Sequence, residues 1–199
     1  MTQPIDSWIS EWEILEDLGM GGQGTTHLAR RRGEDTRGVI KLLKQNNNQQ
    51  ARKRMRFEVD ALKLLSGLGA SVPFVLGTNV ERADEIGIPL FFVMEYVDGE
   101  TLHDYVESRK KLNIEESIEL VSQIVKTLEI GHEQGIGHRD IKPKNVMVVL
   151  ESDDFKKVVV LDYGMAVSNI KCDTASLSVL LEHFARRAIS ESLSGTIVE

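Results

Sequence analysis

The chain carries a single cysteine, Cys172, which excludes an internal disulfide framework. Cys172 lies in a polar stretch and reads as a free thiol rather than a nucleophile or metal ligand, which suits a reducing compartment. Basic residues are also in deficit: 24 Lys and Arg stand against 31 Asp and Glu, for a net charge of -7. That balance argues against a general nucleic-acid or anionic-membrane binder, because both partners are polyanions. Long apolar runs are missing as well. The run Ile88 to Val93 contains Pro89 and is too short to span a bilayer. Met1 to Glu13 holds acids and lacks the basic and apolar regions of a secretory signal. No internal repeat is visible. The expectation is a soluble cytoplasmic protein with neither a nucleic-acid nor a membrane partner.

What is present is ordinary globular material: 199 residues, 41% hydrophobic and 28% charged, enough for one domain or two small lobes with a real core. The stretch that organises the chain is His138-Arg139-Asp140-Ile141-Lys142-Pro143-Lys144-Asn145, which follows a helical pattern and runs into an apolar strand, Val146 to Leu150. Within eight residues it holds an acid, a lysine, an amide side chain and a stiffening proline. Such a set suits phosphoryl transfer: a carboxylate to accept a hydroxyl proton, a cation for the transferred group and an amide oxygen for a metal ion. The bland alternative is a chance polar loop after a helix. The stretch resembles the catalytic loop of protein kinases, in the form found in serine/threonine kinases.

Taken from the start, residues 1–11 read as a leader, and a strand-like pattern begins at Trp12. Gly19-Met20-Gly21-Gly22-Gln23-Gly24 follows, and then Thr25 to Ala29 favours a second strand. Glycines let backbone amides approach phosphates, although a flexible hairpin turn has the same composition. A dinucleotide-binding turn would open a helix instead. Val39-Ile40-Lys41-Leu42-Leu43 places a lysine inside an apolar strand, pointing either to solvent at an edge or to a buried acid. From Ala51 the apolar residues Met55, Val59 or Leu62, and Leu65 recur with helical spacing, and Glu58 sits among them as the natural partner of Lys41. The cluster Arg52, Lys53, Arg54, Arg56 reads as a solvated face, with contact to a phosphorylated loop as the lesser alternative.

Further strands are expected at Phe74 to Thr78 and Leu90 to Met94, joined by a charged hairpin, Asn79 to Gly87. Thr101 to Arg109 and Glu115 to Gln134 are helical candidates, the second with Ile118, Val121, Ile124, Val125 and Leu128 as its apolar stripe. His132 and His138 read as structural or surface residues, since no third metal ligand accompanies them. Val158 to Leu161 is a buried strand ending in Asp162-Tyr163-Gly164, and an acid there is well placed for a cation.

The order of these features over Trp12 to Ala166 is similar to that of protein kinases. The resemblance implies a two-lobed α+β fold: an antiparallel N-lobe with one main helix over residues 12–97, and an incomplete, mostly helical C-lobe over residues 98–199. It implies ATP and Mg²⁺ as cofactors. Leu18, Gly19, Met20, Gly21, Gly22, Gln23, Gly24 and Thr26 would cover the nucleotide, and Val39, Met94, Glu95, Val97 and Met147 would surround the adenine. Lys41, held by Glu58, would bind the α- and β-phosphates. Asn145 and Asp162 would hold Mg²⁺, Asp140 would take the proton of the substrate hydroxyl, and Lys142 would steady the γ-phosphoryl group.

Departures from the family are Thr26 for the usual valine, Val39 for alanine, and Tyr163 for phenylalanine. None removes a charged group. The family's chain continues well past the stretch corresponding to Glu199, so a truncated C-lobe is expected, with an apolar patch on the 115–134 helix and a partner to cover it. Thr174 to Ser190 reads as an amphipathic helix, and Thr174, Ser176, Ser178 and Thr196 as candidate phosphosites. The main expectation is a protein serine/threonine kinase acting on an unidentified protein substrate. A shortened nucleotide-binding interaction module is the alternative, and a small-molecule phosphotransferase is the weaker third.

Overall fold

A computed structural model describes residues 9–20, 24–109, 112–151 and 154–168. The chain divides into two compact units, Met1–Val97 and Asp98–Glu199.

The first unit is a five-stranded antiparallel sheet with one long helix. Its strands are β1 (Trp12–Met20), β2 (Gly24–Arg31), β3 (Arg37–Leu43), β4 (Val75–Thr78) and β5 (Phe91–Glu95), in the order β1-β2-β3-β5-β4. β1 is an edge strand that buries only Trp12. Trp12, Ile9, Ala29, Ile40, Phe91 and Val93 form an apolar cluster on the sheet. The helix α1 (Gln49–Gly67) starts at Asn48, whose side chain accepts the Ala51 amide at 3.1 Å, and the chain turns away at Gly69 with φ +81°. An N-cap asparagine satisfies an amide that the helix itself leaves unpaired. Met55, Val59, Leu62 and Leu65 are buried on one face, as their spacing requires, while Asp60 is exposed. Arg52 departs from expectation: it lies on that same buried face, not in solvent. The Asn79–Gly87 connection joins two antiparallel strands but contains a 3₁₀ turn at Val80–Arg82.

The second unit opens with the two-residue strand β6 (Glu100–Thr101), then α2 (Leu102–Ser108) and α3 (Ile114–Glu133). Thr101 and Asn113 cap the two helices, accepting the amides of Asp104 and Glu116. Tyr105 of α2 donates its hydroxyl to Glu116 of α3, which ties the helices together. Two short ribbons follow: β7 (Ile136–Gly137) with β10 (Val167–Ser168), and β8 (Val146–Glu151) with β9 (Asp154–Val160), the second extended by β6. α3 packs on β9, and Gln123 Oε1 accepts the Val158 amide at 3.0 Å.

The inward stripe of α3 is Leu120, Ile124, Thr127, Leu128 and Gly131. Ile118 was expected in that stripe and is instead 61% exposed, next to Ile114 at 70%. Ile124 and Leu128 belong to both the expected stripe and the observed one. The row that packs is the one facing the ribbon. Among the described residues no helix is long and apolar enough to cross a membrane. Cys172, the 174–190 segment and the four candidate phosphosites lie outside the described residues.

Candidate active site

Within the first unit, register places the key lysine. Lys41 sits in the third strand of the sheet, opposite Thr26 on one side and Phe92 on the other. Its Nζ reaches Glu58 Oε1 at 2.6 Å, with the lysine side chain 13% exposed and the glutamate 2%. The Phe92 ring lies 5.9 Å from the ammonium. An ion pair this deep is held by geometry more than it stabilises the fold, because desolvation offsets most of the attraction. Its meaning is positional: an ammonium is fixed at the inner end of a strand whose neighbours line the same face.

Those neighbours are the residues expected around a nucleotide. Val39 pairs with Leu28 and with Met94, and Gly19 pairs with Thr26. Val39 is buried, Thr26 and Met94 are half-buried, and Leu18 and Met20 are exposed on the hairpin. Gly24 admits no side chain, since a Cβ there would stand 2.0 Å from the Leu42 carbonyl oxygen. Gly19 has φ +135°, a conformation only glycine adopts readily. The Glu95 amide donates to Phe74 O at 2.8 Å, which holds the end of β5, and the half-buried Val97 follows two residues later. Gly21, Gly22 and Gln23 lie outside the described residues.

Within the second unit the 138–145 loop is tied by its own side chains. His138 is buried, its Nε2 donates to Leu161 O at 2.8 Å, and its Nδ1 accepts the Asp140 amide at 3.2 Å. These two bonds define one neutral tautomer and leave no site for a metal on that ring. Arg139 takes a left-handed conformation, φ 61°, which turns the chain sharply before Asp140. Asp140 Oδ2 accepts from Lys142 Nζ at 2.8 Å and from Asn145 Nδ2 at 3.0 Å. Asn145 Nδ2 also donates to the Asp140 carbonyl at 2.8 Å. With its nitrogen on Asp140, the amide directs its oxygen elsewhere.

Asp162 reaches the same end of the β8–β9 ribbon. Val146 pairs with Val160, and the Leu161 amide donates to Asn145 O at 2.8 Å, so Asn145 and Asp162 flank the ribbon's end together. Asp162 is also left-handed, φ 59°, and its Oδ1 accepts the Gly164 amide at 3.3 Å. Carboxylate and amide oxygens are hard donors, and two of them suit an ion such as Mg²⁺ that keeps waters and takes phosphate oxygens for its other positions. Among the described residues no group of three or more His, Cys, Asp or Glu forms a denser metal site. Met147, half-buried, is the next residue but one along β8 and pairs with Thr101 and Val159. The Tyr163 ring packs on His138 in a tilted arrangement, with centroids 4.5 Å apart and planes 60° to one another, and burial pushes its phenol pKa up.

The model of the protein kinase domain matches residues 12–192. The chain belongs to the protein kinase family. A probable serine/threonine-protein kinase of Clostridium perfringens is 34% identical over 161 residues, covering 80% of this chain and 22% of its own. One of Streptomyces coelicolor is 33% identical over 155 residues, covering 78% of this chain and 22% of its own. The serine/threonine-protein kinase PknB of Mycobacterium tuberculosis is 31% identical over 167 residues, covering 83% of this chain and 26% of its own. The chain therefore spans about a quarter of the length of these curated relatives. The strand-rich first unit and the helix-and-ribbon second unit are the α+β architecture of the kinase fold.

The Lys41–Glu58 pair expected from the sequence is present, whereas the burial of Arg52 runs against expectation. Its spacing to Met55, Val59 and Leu62 put it on the inward face. The three exposed cations beside it, Lys53, Arg54 and Arg56, masked that signal.

Proposed function

We propose that this kinase chain transfers the γ-phosphoryl group of ATP to serine or threonine hydroxyls of a protein substrate, with Asp140 as the base and Mg²⁺ held by Asn145 and Asp162. The observation that carries the reading is the Asp140 carboxylate, held on one oxygen by both Lys142 and Asn145. A carboxylate fixed in this way can orient a hydroxyl and accept its proton as the new oxygen–phosphorus bond forms and the bond to ADP breaks. Lys142 brings its positive charge to the same place, where the transferred group carries negative charge. Bound Mg²⁺ supplies neutralisation of phosphate charge. Lys41, held by Glu58, would bind the α- and β-phosphates, and the 18–26 hairpin with Val39, Met94, Glu95, Val97 and Met147 would hold the rest of the nucleotide. Lysine two residues after the acid is the serine/threonine form of the loop. The expected setting is cytoplasmic, with no nucleic-acid or membrane partner.

The test is transfer of label from γ-labelled ATP to a casein acceptor and to the chain itself, followed by phosphoamino-acid analysis. Wild type should yield phosphoserine or phosphothreonine, Asp140→Asn should lower the rate by about a hundredfold or more, and chelation of Mg²⁺ should abolish it. Absence of label from wild type, or equal labelling by Asp140→Asn, would contradict the proposal and favour an interaction module without turnover.

A further inference from the structure

Arg52 is the largest fully buried side chain of the described residues, at 0% exposure. A guanidinium has five N–H donors in a fixed plane, and here each is taken up. Nε donates to Ala83 O at 2.7 Å, Nη1 to Asn46 O at 3.0 Å and Ile88 O at 2.6 Å, and Nη2 to Arg82 O at 2.9 Å and Glu85 O at 2.7 Å. Four of these carbonyls belong to the connection between β4 and β5. The same connection is tied to β5 by Asn79, whose Oδ1 accepts the Phe91 amide at 2.9 Å and whose Nδ2 donates to Pro89 O at 2.8 Å. Asn46, ahead of α1, accepts the Leu90 amide at 3.1 Å.

A closed circuit results. α1 carries Arg52, which grips the segment entering β5. β5 pairs with β3, where Phe92 stands opposite Lys41. Lys41 returns to α1 through Glu58. A helix can move on a sheet by small sliding of packed side chains, and beside the Lys41–Glu58 pair the guanidinium holds α1 through five further bonds.

We propose that Arg52 is a positioning residue, its clamp on five main-chain carbonyls fixing α1 so that Glu58 meets Lys41 before any nucleotide arrives. The inference rests on the kinase reading for its consequence and on the clamp alone for its mechanism. In this chain the pair is a standing feature of the first unit and not one that ligand binding must assemble.

Arg52→Lys keeps the charge but offers three donors in place of five. Affinity for ATP with Mg²⁺ is measured calorimetrically on wild type, Arg52→Lys, Glu58→Gln and the double variant, each first shown to unfold cooperatively. Arg52→Lys should weaken binding by about tenfold, the scale of a coupling between groups in one network. In the Glu58→Gln background it should add less than about twofold, because the pair it positions is already broken. Equal losses in both backgrounds, or no loss in a folded Arg52→Lys, would overturn the proposal. If wild type binds no nucleotide, the kinase reading fails and the clamp is judged by amide hydrogen exchange. Faster exchange over residues 53–62 in Arg52→Lys, with β1 and β2 unchanged, upholds it, and unchanged or uniformly faster exchange overturns it. Should Arg52→Lys not fold, Arg52→Gln is carried through the same measurements, and collapse of both variants would make Arg52 a folding residue and overturn the positioning role.

Discussion

Tyr163 buries a hydroxyl that finds no hydrogen-bond partner among the described residues. An unsatisfied buried polar group costs stability, whereas a phenyl ring of the same shape does not. Tyr163→Phe is therefore expected to stabilise the protein by about 1 kcal/mol in urea denaturation near neutral pH. Burial also raises the phenol pKa above its ordinary value of about 10. The neutral form is favoured in the folded state, so the stability this protects is complete below pH about 10 and is lost as pH rises through the folded pKa. Between pH about 10 and the raised folded pKa, wild type should lose about 1.4 kcal/mol more per pH unit than Tyr163→Phe. Equal alkaline slopes would show that the hydroxyl is solvated. Gly24 makes a second case at this scale: Gly24→Ala should lower the melting midpoint, because its Cβ would meet backbone at Leu42 and not a side chain able to move. The Lys41–Glu58 pair was legible from sequence because a lysine inside an apolar strand needs an acid to meet it. That the Tyr163 hydroxyl has no partner among the described residues was not, since that depends on which distant segments surround it.

At the scale of elements, α3 tests how far periodicity can be read. The expected stripe 118-121-124-125-128 and the observed one, 120-124-127-128-131, share Ile124 and Leu128, and only the packing of β9 against the helix decides which margin turns inward. Leu120→Ala should cost about 2–5 kcal/mol in chemical denaturation, as for a fully buried leucine. Ile118→Glu should stay within about 0.5 kcal/mol of wild type. The reverse order would mean that Ile118 is covered in solution. The α1 helix was legible because its apolar residues form one row, and in the structure Asn48 caps its start. Asn48→Ala should cost about 1 kcal/mol, read as a lower thermal midpoint.

For the whole molecule, the strand pattern of the first unit and the loop-to-ribbon path of the second unit were readable along the chain, because each of these signals is local. The pairing order β1-β2-β3-β5-β4 and the carbonyl clamp on Arg52 were not, because they join segments far apart in the chain. The proposed function requires a nucleotide site that includes Lys41. The most direct measurement is a thermal-shift titration with ATP and Mg²⁺ on wild type and Lys41→Met, each compared with its own nucleotide-free midpoint. A ligand at a hundred times its dissociation constant stabilises the native state by about 2.7 kcal/mol, so wild type should melt several degrees higher with nucleotide while Lys41→Met shows little or no rise. A wild type that does not respond, or a variant that responds equally, would contradict the account.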